Sequence, residues 1–136
     1  MTVLLATSVV IDLLRGNAAA LDAVRGAVGA GHDLAASVVV KVEVLAGMRP
    51  HEEQRTRRLL DGIDWIAVDD PIAERAGTLA NQYARSHTGI DPMDDSIAAT
   101  AHATTTAMQD QDVQLWTRNV KHFPMFANLL PPYRAG

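Results

Sequence analysis

Short apolar segments alternate with helix-like segments along the chain, and this alternation limits the fold more than any other feature. The segments Val3–Leu5, Leu34–Ala36, Trp65–Val68 and Gln114–Thr117 have the length and apolar character of buried strands. A last strand is predicted over Ala127–Leu130. Because helical patterns lie between these strands, a parallel sheet covered by helices is the expected arrangement. The sequence therefore predicts an α/β fold.

Local signals place the helices between the strands. Thr7 or Ser8 is predicted to cap the first helix, and Gly16 is predicted to end it. Asp69-Asp70 before Pro71 is a helix-start signal. Further helices are predicted over Ala18–Val28, after Ser37, over His51–Leu60 and from Pro92.

Composition sets limits on organisation and on partners. The 136 residues, 48% of them hydrophobic, suit one domain spanning 1–136 with a single core. The absence of cysteine excludes disulfides, thiolate metal sites and a cysteine nucleophile. With a formal net charge of −4, any nucleic-acid surface must be local. The first apolar run is too short and interrupted for a signal or membrane segment, so we expect a cytoplasmic protein.

Polar residues that could carry chemistry lie near the predicted strand ends. Glu43 interrupts an apolar helix, Asp94 lies in the first turn of a later helix, and Thr117-Arg118-Asn119 follows a strand. In parallel α/β sheets, ligands bind beyond the carboxyl ends of the strands. A carboxylate on an apolar helix face is costly to bury unless it is paired, protonated or bound to a metal. Two such carboxylates in one small domain favour a shared site.

Each of these residues also has a purely structural interpretation. Glu43 could form a salt bridge at a helix edge, and Asp94 or Asp95 could simply favour a helix N-terminus. Asn119 is a common turn residue. His102 and His122 are typical packing or surface residues. No single residue decides between the two interpretations.

The combination of segments is more informative. LLATSVVIDLLRG, SVVVKVEVLAG, DDSIAATA and LWTRNVKHF, in this order, resemble the PIN-domain family, and within it the VapC toxins of bacterial toxin–antitoxin pairs. The resemblance spans nearly the whole chain. It implies a PIN-like three-layer domain, with a central parallel sheet flanked by helices.

The resemblance also implies a set of site residues. Family members carry a strand-ending Asp before Thr-Ser, and that position is Ala6 here. The other acidic or amide positions match Glu43, Asp94 and Asn119, with Thr117 beside them. The family's carboxylates hold Mg²⁺ or Mn²⁺, which oxygen ligands favour. Additional candidate metal ligands are Asp95, Asp110 and Asp112, and candidate RNA-binding cations are Arg15, Lys41, Arg118 and Lys121.

By the same resemblance, the chain is a metal-dependent endoribonuclease toxin that cleaves cellular RNA. A cognate VapB-like antitoxin would neutralise it, and homodimers and toxin–antitoxin hetero-oligomers are expected. Because Ala6 cannot bind a metal, the activity of this chain should be weak or absent. Ala6 is either a deliberate Asp→Ala change or a natural degeneration.

Two other functions fit parts of the sequence. One is a catalytically dead PIN-like module that acts only by binding an antitoxin or another partner. The other is a flavodoxin-like receiver domain, whose strand-end acids also bind Mg²⁺. A receiver needs a phosphoacceptor Asp on a central strand and a Lys late in the chain, and the sequence has no such set.

Overall fold

The computed structural model describes residues 1–86, 90–108, 113–126 and 129–134, with the backbone alone for 105–108. Its sheet has four strands, β1 (Thr2–Leu5), β2 (Asp33–Ser37), β3 (Asp64–Ile66) and β4 (Val113–Trp116). They lie in the order β3-β2-β1-β4. Every neighbouring pair is parallel, which confirms the predicted α/β class.

Six α-helices connect and cover these strands in the described part of the chain. Their bounds are α1 (Thr7–Leu14), α2 (Ala18–Gly29), α3 (Val38–Ala46), α4 (Glu53–Leu60), α5 (Asp70–Tyr83) and α6 (Pro92–Met108). Short 3-10 turns lie at Pro50–Glu52 and Val120–His122. The predicted stop at Gly16 is confirmed, because α1 ends two residues earlier and Gly16 adopts a φ of 71°.

The core is built around β1, which is hydrogen-bonded to a strand on each side. Val3 and Leu4 point to opposite faces of the sheet, and both are fully buried. Helices therefore cover both faces, as a parallel sheet requires. The buried residues of this core are aliphatic apart from Phe123.

Several predicted boundaries are wrong, and each has a structural reason. β3 ends at Ile66 rather than Val68, because its partner β2 ends at Ser37, where α3 begins. β4 ends at Trp116 because β1, its neighbour, ends at Leu5. Thr117 therefore lies just beyond the sheet.

Two further predictions also need correction. Residue 6 is the N-cap of α1 and forms no side-chain cap, while Thr7 and Ser8 lie inside the helix. Leu129 and Leu130 lie outside any strand. The prolines that follow them have no N–H to donate to a sheet. Residues 127 and 128 of that predicted strand lie outside the described residues.

Candidate active site

The chain reverses its direction of travel across the sheet beside β1. From β1 it continues to β2 and β3 on one side, and then crosses to β4 on the other side. Such a switch point opens a crevice beyond the carboxyl ends of the two diverging strands. The Ala6 amide donates to the Trp116 carbonyl at 2.9 Å, directly after the end of β1. A cavity of about 350 Å³ opens there.

The five residues singled out by the sequence all line this cavity. Ala6 follows β1, Glu43 comes from α3, Asp94 from α6, and Thr117 and Asn119 follow β4. Residues far apart in sequence therefore converge on one crevice. The other lining residues are Thr7, Ser8, Ile11, Asp12, Arg15, Asp91, Ile97, Arg118, His122 and Phe123.

Glu43 is held from the first turn of α1. The Thr7 hydroxyl donates a hydrogen bond of 2.7 Å to Glu43 Oε1. The direction of α3, which carries Glu43, is set at its N-terminus by the fully buried Ser37. Its hydroxyl oxygen accepts a bond of 3.3 Å from the Val39 amide. Ser37, which ends β2 and caps α3, thus helps to place the Glu43 carboxylate in the crevice.

Asp94 is the most perturbed carboxyl of the cavity. Burial raises its pKa, and so do the neighbouring charges of Asp91 and Glu43. The Asp91 backbone amide opposes this by donating to Asp94 Oδ2 at 3.3 Å, and His122 opposes it through its charge, with Nδ1 3.3 Å from the same oxygen. The net result is a pKa of about 6. A carboxyl with a raised pKa in an acidic crevice would be relieved by a bound cation.

The turn after β4 is tied to α1 through hydroxyl groups. The Ser8 hydroxyl accepts a bond of 3.0 Å from the Arg118 amide and lies 3.4 Å from Thr117 Oγ1. Thr117 Oγ1 in turn accepts a bond of 3.0 Å from the Asn119 amide. Thr117 is almost fully buried, so this part of the crevice wall is well defined.

Three residues of the crevice were missed or undervalued from the sequence. Asp91 caps α6, with Oδ1 accepting from the amides of Met93 and Asp94 at 2.9 and 3.1 Å. An Asp directly before Pro92 is a recognisable helix-start signal. His122 contacts Asp94, although it was predicted as a packing or surface residue. The third residue is Asp12.

Asp12 is a buried acid on the inner face of α1. Its two oxygens accept bonds of 2.9 and 3.1 Å from one nitrogen of the Arg118 guanidinium. The Tyr133 hydroxyl donates a third bond, of 2.7 Å, to Oδ2. The signal in the sequence was the carboxylate that interrupts the apolar run of the first helix.

The remaining candidates divide by position. Arg15 and Arg118 line the cavity. Lys41 instead lies with Nζ 4.5 Å from the centre of the Trp65 ring, and Lys121 is not among the lining residues. Asp95 also lies outside the lining, is 1% exposed, and has no partner for Oδ1 within the described residues. Asp110 and Asp112 lie outside the described part of the chain.

The resemblance implies Mg²⁺, and the side chains that line the crevice are the groups that would have to hold it. Ala6 contributes only a methyl group where a carboxylate is expected. Within the described ranges, no group of three or more His, Asp or Glu side chains is arranged to hold a metal ion. Mg²⁺ demands near-octahedral oxygen coordination. The residues present therefore do not form a complete site for this ion.

Comparisons with known proteins agree with the fold. The model of the PIN domain family matches residues 3–112. The chain is 40% identical over 130 residues to Ribonuclease VapC19 of Mycobacterium tuberculosis, covering 96% of this chain and 98% of that one. It is 42% identical over 131 residues to Ribonuclease VapC10 of the same species, covering 96% and 92%.

A solved structure agrees as well. A chain in the structure of a toxin–antitoxin complex from Klebsiella pneumoniae matches this one with a TM-score of 0.73 and 30% identity. The match covers 97% of this chain and 98% of that one.

Among the described residues, no helix is long and apolar enough to span a membrane.

Proposed function

The chain belongs to the PIN-domain family, among the VapC ribonuclease toxins, and from this membership we propose that it is an RNA-cleaving toxin with one metal ligand missing. The observation that carries the proposal is the crevice at the switch point. Glu43, Asp94, Thr117 and Asn119 all line it around Ala6. The raised pKa of Asp94 supports the same view, because burial and the neighbouring acids disfavour its charge and a cation would offset both effects.

The cofactor proposed for the intact site is Mg²⁺ or Mn²⁺, which oxygen ligands favour. A carboxylate at position 6 would complete the set with Glu43 and Asp94. Thr7 already orients Glu43 by a hydrogen bond, and Thr117 fixes the backbone of Asn119. These residues would keep the carboxylate and amide groups in position around a phosphodiester.

We propose that the protein, with alanine at position 6, cleaves RNA weakly or not at all. Loss of a metal ligand removes several kcal/mol of charge stabilisation in the transition state, which amounts to orders of magnitude in rate. The alanine is either an introduced Asp→Ala change or a natural degeneration. In the second case the protein would act as a binding module for an antitoxin or another partner.

The direct test is to install a carboxylate at position 6. The variant Ala6→Asp, purified with its antitoxin and then freed of it, is incubated with total cellular RNA in Mg²⁺ or Mn²⁺. We expect cleavage at least about 100-fold faster than that of the parent chain, and its abolition by EDTA. Ala6→Asn is the matched control, because it has nearly the same shape without the charge. Mapping the cut sites would identify the RNA target.

The two explanations of Ala6 predict different results. No metal-dependent gain in Ala6→Asp, with antitoxin binding intact in the parent, would favour the binding module and reject the nuclease. Cleavage by Ala6→Asp that Asp94→Asn then removes would support the proposed site. Cleavage by Ala6→Asn equal to that by Ala6→Asp would show that the activity comes from another source.

Partners and organisation complete the proposal. We propose a VapB-like antitoxin as the inhibitor, with assembly as a homodimer and as toxin–antitoxin hetero-oligomers. Cellular RNA as substrate favours action in the cytoplasm. A single PIN domain over residues 1–136 is supported by the pairing of β1 with β4 and by the bond from Tyr133 to Asp12, which join the two ends of the chain.

A further inference from the structure

A second cavity adjoins the acidic crevice and shares two of its residues. It has a volume of about 750 Å³, within the range of about 300–1,000 Å³ typical of small-ligand sites. Arg118 and Asn119 line both cavities. The remaining walls come from the end of the chain and are Leu130, Pro131, Tyr133 and Arg134.

The charge of this second cavity is opposite to that of the crevice. Its lining includes two arginines and no acid, whereas the crevice contains Asp12, Glu43, Asp91 and Asp94. An RNA strand that passes through the crevice needs cations beside it, because acidic groups repel its phosphates. The second cavity supplies them next to the position where the phosphodiester would lie.

The buried Asp12 fixes the two most useful groups of this cavity. The Arg118 side chain is 38% exposed, yet one of its nitrogens is held by both Asp12 oxygens. Within the described ranges, its other guanidinium nitrogens have no protein acceptor and can bind a phosphate or a base edge. Asp12 also accepts the bond from the Tyr133 hydroxyl. The same carboxylate therefore positions both the Arg118 guanidinium and the Tyr133 ring.

The chemistry of the lining suits a nucleotide. Single-stranded RNA is recognised by stacking of its bases on aromatic rings and guanidinium planes. Tyr133 offers a ring, and Leu130 and Pro131 offer an apolar floor. Burial and the bond to Asp12 raise the pKa of Tyr133, so its hydroxyl stays a donor and the ring stays neutral. Leu130 is 78% exposed, which leaves its apolar surface available to a base.

We propose that this second cavity is a subsite for the nucleotide that flanks the scissile phosphodiester. This assignment of the cavity rests on the proposed function, because the flanking nucleotide is defined by RNA cleavage in the crevice. Arg118 and Arg134 hold phosphate, and Tyr133 stacks on the base. Two observations favour RNA over an antitoxin segment as the occupant. The cavity is continuous with the crevice, and its two arginines, Arg118 and Arg134, can bind phosphate.

The test measures RNA binding by the parent chain, which we expect not to degrade its ligand. A short fluorescent single-stranded RNA of mixed sequence is titrated in EDTA at several salt concentrations. Arg134→Gln should weaken binding and lower the slope of log K against log salt by about 0.7, the value for one phosphate contact on a single strand. The control is Arg75→Gln, an exposed arginine of α5 that lines neither cavity. It should leave the slope unchanged.

A second pair of variants separates the ring of Tyr133 from its hydroxyl. Tyr133→Leu should weaken RNA binding roughly tenfold, because a stacking surface is lost. Tyr133→Phe keeps the ring and should retain most of the affinity, although it loses the bond to Asp12. Photo-crosslinking with RNA that contains 5-iodouridine should attach the probe to Tyr133. Circular dichroism melting confirms that each variant is folded.

The outcomes separate the subsite from the nuclease. If Ala6→Asp cleaves RNA while Tyr133→Leu and Arg134→Gln bind it as Arg75→Gln does, the subsite is wrong and the nuclease stands. If these variants lose antitoxin affinity but keep RNA affinity, the cavity serves the antitoxin and the subsite is again wrong. If the parent binds no RNA and Ala6→Asp cleaves none, both proposals fail together.

Discussion

At the scale of single residues, the crevice contains more negative charge than its contacts neutralise. Asp94 accepts a bond from the Asp91 amide and lies beside His122, but burial and the neighbouring acids still raise its pKa to about 6. The folded protein therefore binds a proton here more tightly than the unfolded chain does, for which the reference pKa is 3.8. Between pH 3.8 and about pH 6, the free energy of unfolding must therefore fall as the pH rises.

This sign gives a prediction for Asp94→Asn. The neutral side chain removes the unfavourable charge, so the variant should be more stable than the parent at neutral pH. The difference should shrink by on the order of 2 kcal/mol as the pH falls to about 3, below the pKa of Asp94 in both states. Urea denaturation of both proteins across this pH range measures it. A difference that grows on acidification would contradict the assigned pKa.

Residue identity explains which site positions could be predicted from the sequence. Glu43 and Asp94 stood out because a carboxylate on an apolar helix face is costly, and both line the crevice. Asp12 has the same pattern, but its partners Arg118 and Tyr133 lie more than 100 residues away in sequence. Only the folded chain brings them together, so no local signal could assign its role.

At the scale of secondary structure elements, boundaries depend on partners more than on local signals. The predicted helices and the first four predicted strands are present in the described chain, whereas Leu129 and Leu130 of the fifth lie outside any strand. The errors at β3 and β4 arise because a strand ends where its neighbour ends, which local sequence does not encode. Thr7 and Ser8 were predicted as caps because of their hydroxyls. The folded chain uses those hydroxyls for Glu43 and for the turn after β4.

The cap of α3 connects an element to the site. Ser37→Ala should lower the free energy of unfolding by about 1 kcal/mol, because the Val39 amide loses its acceptor. Asp69→Ala is the matched control, since Asp69 caps α5 with a bond of 3.0 Å to the Ile72 amide, and neither residue lines the crevice. Both changes should cost similar stability by thermal melting. In the Ala6→Asp background, only Ser37→Ala should also lower the rate of RNA cleavage, because α3 carries Glu43. Equal cleavage rates in the two variants would show that the cap does not position the carboxylate.

At the scale of the whole molecule, the site depends on elements from the entire chain. The crevice collects residues that follow β1 and β4 and residues on α1, α3 and α6. The sequence predicted the class of sheet, and a parallel sheet has its ligand site at the carboxyl ends of the strands. The strand order, which puts β4 beside β1, was not predicted from local pattern. That order brings Ala6 and Thr117 together.

Because the site joins distant parts of the chain, metal binding should be linked to global stability. A ligand that binds only the folded state stabilises it by about 2.7 kcal/mol when its concentration is about 100 times its Kd. We therefore expect Mg²⁺ or Mn²⁺ to raise the Tm of Ala6→Asp by several degrees. The parent and Ala6→Asn should respond little, since within the described ranges the crevice of the parent presents no three-ligand group. Calorimetric scans with and without EDTA measure the shift independently of any cleavage. An equal rise in all three proteins would mean that the cation binds elsewhere, and that position 6 is not the missing ligand.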